Sequence, residues 1–100
     1  MTVAEAITQE SRPKLADFVR VEFDKARERW VLQGPERVLV LDETGKEILD
    51  RATGAVTVGE IAARLAEEYD APADVIQHDV LTVLKLLAEK NFLEIADDQP

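Results

Sequence analysis

Apolar and polar residues alternate along FVRVEFD. Val19, Val21 and Phe23 fall on one face and Arg20, Glu22 and Asp24 on the other, the pattern of a strand with one side in water. KARE turns the chain. RWVLQ, rich in aromatic and branched residues and closed by Gly34-Pro35, then reads as a second strand with Trp30 packed in the core. RVLVL follows after a loop short enough for a hairpin, so a three-stranded antiparallel meander with RWVLQ at its centre is the economical topology. The third strand breaks the alternation. Val38, Leu39, Val40 and Leu41 run on without a charge, although a half-buried strand alternates because successive side chains point to opposite faces.

Three helices follow. Thr44 and Glu47 have the spacing of a capping box, with Asp42 as an alternative cap, and Ile48, Leu49 and Ala52 form an apolar stripe before Gly54. Thr57 and Glu60 repeat that spacing ahead of Ile61, Ala62, Leu65, Ala66 and Tyr69. Pro72 suits the first position of a third helix that runs to about Lys90, with Asp74 at the positive end of its dipole. Ile76, Val80, Val83, Leu84 and Leu87 are its core stripe. Leu81 and Ala88 widen the apolar surface on one side, Val75 and Leu86 on the other. That arc exceeds the ~100° with which a surface helix covers a core, so the third helix is expected to touch more than one neighbour.

These elements predict an α+β, winged helix-turn-helix-like fold, a three-stranded antiparallel sheet followed by three helices. A single domain over residues 17–95 is expected, between a flexible tail over 1–16 and an acidic tail over 96–100. Charge changes what such a fold is for. The chain carries 21 acidic against 12 basic side chains, a formal charge of -9, which repels phosphate backbones and anionic lipid surfaces. From residue 56 to the end, ten carboxylates face only Arg64, Lys85 and Lys90, a net of -7 in the half that would dock on DNA. A winged-helix DNA-binding regulator is therefore the weaker alternative.

Catalytic chemistry finds no footing. Ser11 is the only serine and lies in the expected tail, His78 is the only histidine and sits on the polar side of the third helix, and there is no cysteine. Those residues support no triad, carrier serine or metal centre. The four glycines have no phosphate-binding spacing, so no cofactor site is predicted. The N-terminal segment has neither the charge pattern nor the apolar run of a signal or membrane anchor, and a cytoplasmic, non-enzymatic protein is expected.

The unbroken strand suggests binding instead. An edge strand presents unpaired N–H and C=O groups that proteins usually guard with charge, proline or cover. The first strand is guarded by Arg20, Glu22 and Asp24; Val38 to Leu41 are not. Two accounts stand side by side. In one, helices cover both faces of the strand, or it pairs with a second copy to make a homodimer. In the other, the edge and the wide third helix form a groove for an extended peptide.

RWVLQGPERVLVLDETGKEIL, TVGEIAARLAEEYDAP and DVLTVLKLLAEKNFLE resemble the PqqD family of pyrroloquinoline quinone biosynthesis over roughly residues 12 to 95. The most specific pieces are Pro35-Glu36 with Val38 and Leu41, Glu47-Ile48-Leu49, Thr57-Val58 with Glu60-Ile61, and Asp79-Val80 leading through Leu84 and Leu87 to Lys90. The resemblance implies a peptide adaptor without catalytic activity. It would bind the precursor peptide PqqA by strand addition and present it to the radical S-adenosylmethionine enzyme PqqE. The guest is then expected along Val38, Leu39, Val40 and Leu41, with Val80, Leu81, Leu84 and Ala88 on the helix side. Gly45-Lys46, Ala52-Thr53-Gly54-Ala55 and Asn91 depart from the family pattern.

Overall fold

The computed structural model describes residues 6–96. In chain order the elements are β1 Pro13–Leu15, β2 Arg20–Asp24, β3 Arg29–Gln33, β4 Val38–Leu41, α1 Glu43–Asp50, α2 Val58–Tyr69, α3 Ala73–Glu89 and β5 Leu93–Ile95. β2, β3 and β4 form the expected antiparallel meander with β3 in the centre, and three helices follow it.

Local chemistry accounts for the helix ends. Asp42, rather than Thr44, caps α1, its carboxylate accepting from Gly45 N–H at 2.7 Å. At α2 the capping box is complete: Glu60 N–H donates to the Thr57 hydroxyl and Thr57 N–H donates to the Glu60 carboxylate. The bond from Thr57 N–H holds the Glu60 carboxyl below its ordinary range. Its stabilisation is present above the unfolded carboxylate range and is lost as pH falls through the folded value. Pro72 stands one residue ahead of α3, with extended backbone. Beyond α3, Asn91 turns left-handed at φ 66° while Asn91 N–H reaches Ala88 O and Phe92 N–H reaches Leu87 O. That pair of bonds satisfies the helix's last carbonyls and turns the chain into β5.

The core lies between the inner face of the meander and the three helices. Leu32, Ile48, Val58, Ile61, Leu65, Val80, Leu84 and Leu87 are almost completely buried in it. Trp30 sits at the margin, half-buried, with the Phe23 ring edge-on at 5.0 Å and Lys46 Nζ 4.2 Å from its ring centre.

The expected tail over 1–16 is corrected where the chain is described. Ile7 is 2% exposed within the core, and β1 pairs antiparallel with β5 as a separate two-stranded ribbon. Gly54 N–H donates to Pro13 O at 2.9 Å, and Gly54 has φ 87°; a side chain there would meet Ala96 and Lys14. Three-residue strands that pair across the whole chain leave no periodicity to detect. Residues 97–100 of the expected acidic tail, and residues 1–5, lie outside the described residues. Replacing Ile7 by alanine is expected to lower the unfolding free energy by about 2–5 kcal/mol, measured by urea denaturation. A change within about 0.5 kcal/mol, as at an uninvolved surface site, would contradict the anchored segment.

Candidate peptide-binding groove

β4 is an edge strand. It pairs with β3 on one side, and among the described residues no strand lies on the other. Which of its backbone groups remain open follows from the hairpin. Gly34 N–H donates to Arg37 O at 2.9 Å, so the 34–37 pair is hydrogen-bonded. In the register Gln33–Val38, Leu32–Leu39, Val31–Val40, Trp30–Leu41, antiparallel alternation makes the Leu39 and Leu41 pairs hydrogen-bonded too. Val38 and Val40 therefore direct their N–H and C=O groups away from β3. Four strong backbone groups meet an incoming chain along roughly 13 Å of strand.

Side chains alternate in the same register. Leu41 is buried and Leu39 half-buried on the inner face, whereas Val38 and Val40 are 63% and 49% exposed on the outer one. The opposite edge, β2, is guarded: Arg20 pairs with Glu22, and Asp24 lies within ion-pair distance of Arg27 and Arg29. Beside the open edge is a cavity of about 350 Å³. Leu39, Val40, Leu41, Asp42 and Gly45 line one side, and Val83, Leu86 and Leu87 of α3 the other.

All four strand residues expected to carry the site, Val38, Leu39, Val40 and Leu41, thus lie together on the open edge. The helix-side set is corrected. Val80, Leu84 and Ala88 are buried in the core, and Leu81 is half-buried against it. The groove wall is the flank bearing Val83 and Leu86, the latter 48% exposed. Helical spacing alone leaves α3 with two apolar flanks, and contacts with residues distant in sequence decide between them. The N-terminal segment reaches α3 on the other side, where Gln9 donates to Gln77, one helical turn before Leu81.

A cavity of about 320 Å³ lined by Arg51, Thr53, Val56, Glu60, Ile61 and Arg64 lies away from β4. Arg51 there joins α1 to α2, donating to Glu47 and to both Glu68 oxygens at 2.7 and 2.9 Å; the Glu47 bond chiefly raises its pKa. His78 is exposed, and no group of three or more His, Cys, Asp or Glu side chains among the described residues could hold a metal ion. No helix of the described residues is long and apolar enough to cross a membrane.

The comparisons with known proteins agree on one relationship. The family model for coenzyme PQQ synthesis protein D (PqqD) matches residues 29–93. The PqqA binding protein of Bradyrhizobium diazoefficiens is 38% identical over 94 residues, covering 94% of this chain and 91% of that protein. The PqqA binding protein of Rhodopseudomonas palustris strain TIE-1 is 43% identical over 88 residues, 88% of this chain and 86% of that protein. Among solved structures, the PqqD truncation of Methylobacterium extorquens PqqCD, described as a stand-alone recognition element for ribosomally synthesized and post-translationally modified peptides, superposes with a TM-score of 0.79. It is 37% identical, with 91% of this chain and 97% of that one covered. PqqD from Xanthomonas campestris has a TM-score of 0.53 at 39% identity, covering 84% and 93%.

The backbone parity of β4 is directly measurable. In the free protein the amides of Leu39 and Leu41 are expected to exchange slowly with solvent deuterium and those of Val38 and Val40 rapidly. The reverse order would place the open groups on the wrong residues.

Proposed function

The chain belongs to the PqqD family, and from that membership together with the open groove between β4 and α3 we infer that it is the peptide adaptor of pyrroloquinoline quinone biosynthesis, binding the precursor peptide PqqA. The guest adds a strand to β4. Its backbone bonds to the N–H and C=O groups of Val38 and Val40, and its apolar side chains enter the cavity walled by Leu39, Leu41, Val83 and Leu86. The single observation that carries this reading is the unguarded edge beside an apolar cavity in a protein whose other edge is charged. The PqqA-binding names of the relatives support the identity of the guest.

In this reading the protein supplies no catalytic group. It captures the peptide in the cytoplasm and presents it, through a surface other than the groove, to the radical S-adenosylmethionine enzyme PqqE. Division of labour suits an edge strand: main-chain bonds hold a segment of the peptide in an extended form while the rest stays free for chemistry. The DNA-binding alternative is disfavoured by charge. From residue 56 onward, the half containing α2, α3 and β5, the sequence carries Arg64, Lys85 and Lys90 against ten carboxylates, so phosphate contacts lack their cations. Pairing of β4 with a second copy would occupy the same edge and compete with the guest.

Titration of the labelled protein with PqqA peptide is expected to move the amides of Val38 to Leu41 and of α3 around Val83 and Leu86. Val40→Pro removes an outward donor at an edge position where proline spares the ladder to β3, and is expected to weaken binding with the fold retained. Leu39→Pro breaks that ladder and is expected to cost about 1–3 kcal/mol of stability. Unchanged affinity in Val40→Pro, or shifts confined to α2, would contradict strand addition at β4.

A further inference from the structure

The groove is not electrostatically uniform along its length. β4 and α3 run in opposite directions beside it. Arg37, just before β4, donates to Lys90 O just beyond α3 at 2.9 Å, whereas Asp42 and Gly45 share the cavity with Val83. Toward the first of these ends lies a separate cavity of about 460 Å³. Val19, Pro35 and Phe92 supply its apolar surfaces, with Arg37 and Lys90 as the cations and Glu36 as the carboxylate. The second end is acidic. Asp42 lines the groove itself, and a cavity of about 220 Å³ follows beside it, lined by Thr44, Leu65, Tyr69, Ile76, Asp79 and Val80.

Lys46, near the acidic end, is already engaged with Asp50 and lies over the Trp30 ring. Desolvation chiefly raises the pKa of Tyr69 beside Asp79, and the carboxylates of Glu47, Glu43 and Glu68 raise it further, against Arg51. Arg37 and Lys90 against Glu36 thus leave one end with an excess of positive charge, and Asp42 and Asp79 mark the other, in a protein whose net charge of -9 offers few positive surfaces.

We propose that the groove reads the charge of its guest from end to end, holding an acidic residue of the peptide beside Arg37 and Lys90 and a basic residue beside Asp42 and Asp79. The backbone bonds at Val38 and Val40 carry no side-chain information, so they hold any extended segment in either direction and in neighbouring registers. Opposite charges at the two ends break that degeneracy. A peptide entered backwards meets like charge at both ends, and one slipped along the strand loses one or both pairs.

The inference rests on the groove being the peptide site, and the experiment separates the two claims. PqqA peptide is first titrated into the unaltered protein; if the β4 amides do not move, the groove reading itself fails and the proposal falls with it. Lys90→Glu and Asp79→Lys, both at exposed positions and both checked by thermal unfolding, are then titrated with PqqA and with versions in which single acidic or basic residues are neutralised. Each reversal is expected to weaken binding about three- to tenfold at low salt, and the loss is expected to shrink at high salt. The loss in Lys90→Glu is expected to vanish when one particular acidic residue of the peptide is neutralised, and that in Asp79→Lys when one particular basic residue is. Binding by the unaltered protein with no such pairing, or pairing of the opposite sign, overturns charge reading while leaving strand addition intact.

Discussion

One hydrogen bond between backbone groups sets the parity of the open edge of this protein. By closing the turn between β3 and β4, the bond from Gly34 N–H to Arg37 O makes residues 37, 39 and 41 the bonded partners of β3. A shift of one residue would turn Val38 and Val40 inward and bury the donors and acceptors that now face outward. The same parity sends Leu39 and Leu41 toward the helices, so that one register presents both an open ladder and an apolar cleft. Arg37 adds a second constraint by tying the turn to the carbonyl at the end of α3, which fixes the helix wall relative to the strand.

An edge of this kind is a hazard as well as a device. Exposed valines on an unpaired strand invite association with any extended chain, and within the meander the protein accepts that exposure on β4. On β2 it does not: the Arg20–Glu22 pair and the Asp24 cluster stand where an unwanted strand would approach. The contrast between two edges of one small sheet is what gives β4 its meaning. Exposed valine by itself is ordinary; what sets β4 apart is unguarded exposure beside a cavity, opposite a guarded edge.

Much of this was legible from residue order. The meander, the central position of RWVLQ, the three helices and the Thr57–Glu60 capping box all follow from local periodicity and spacing. So does the edge strand Val38–Leu41, because an unbroken apolar run is conspicuous in an acidic chain. What was not legible depended on contacts distant in sequence. Pro13–Leu15 finds its partner in Leu93–Ile95, and Ile7 enters the core from a segment whose composition resembles a tail. That omission had a consequence for the site. With the N-terminal segment placed against α3 near Gln77, the free apolar flank is the one bearing Val83 and Leu86, and Val80, Leu84 and Ala88 are core residues. Helical spacing showed that two flanks existed; only tertiary structure could show which one was already used.

The account stands or falls on who completes the β4 ladder. Scalar couplings transmitted across hydrogen bonds, recorded on the complex with isotope-labelled PqqA, identify donor and acceptor atom by atom. The account predicts couplings from the amide nitrogens of Val38 and Val40 to carbonyl carbons of the peptide. Couplings from those amides to carbonyls of a second copy of β4 that persist in the presence of peptide, or peptide held with no coupling to β4, would contradict it.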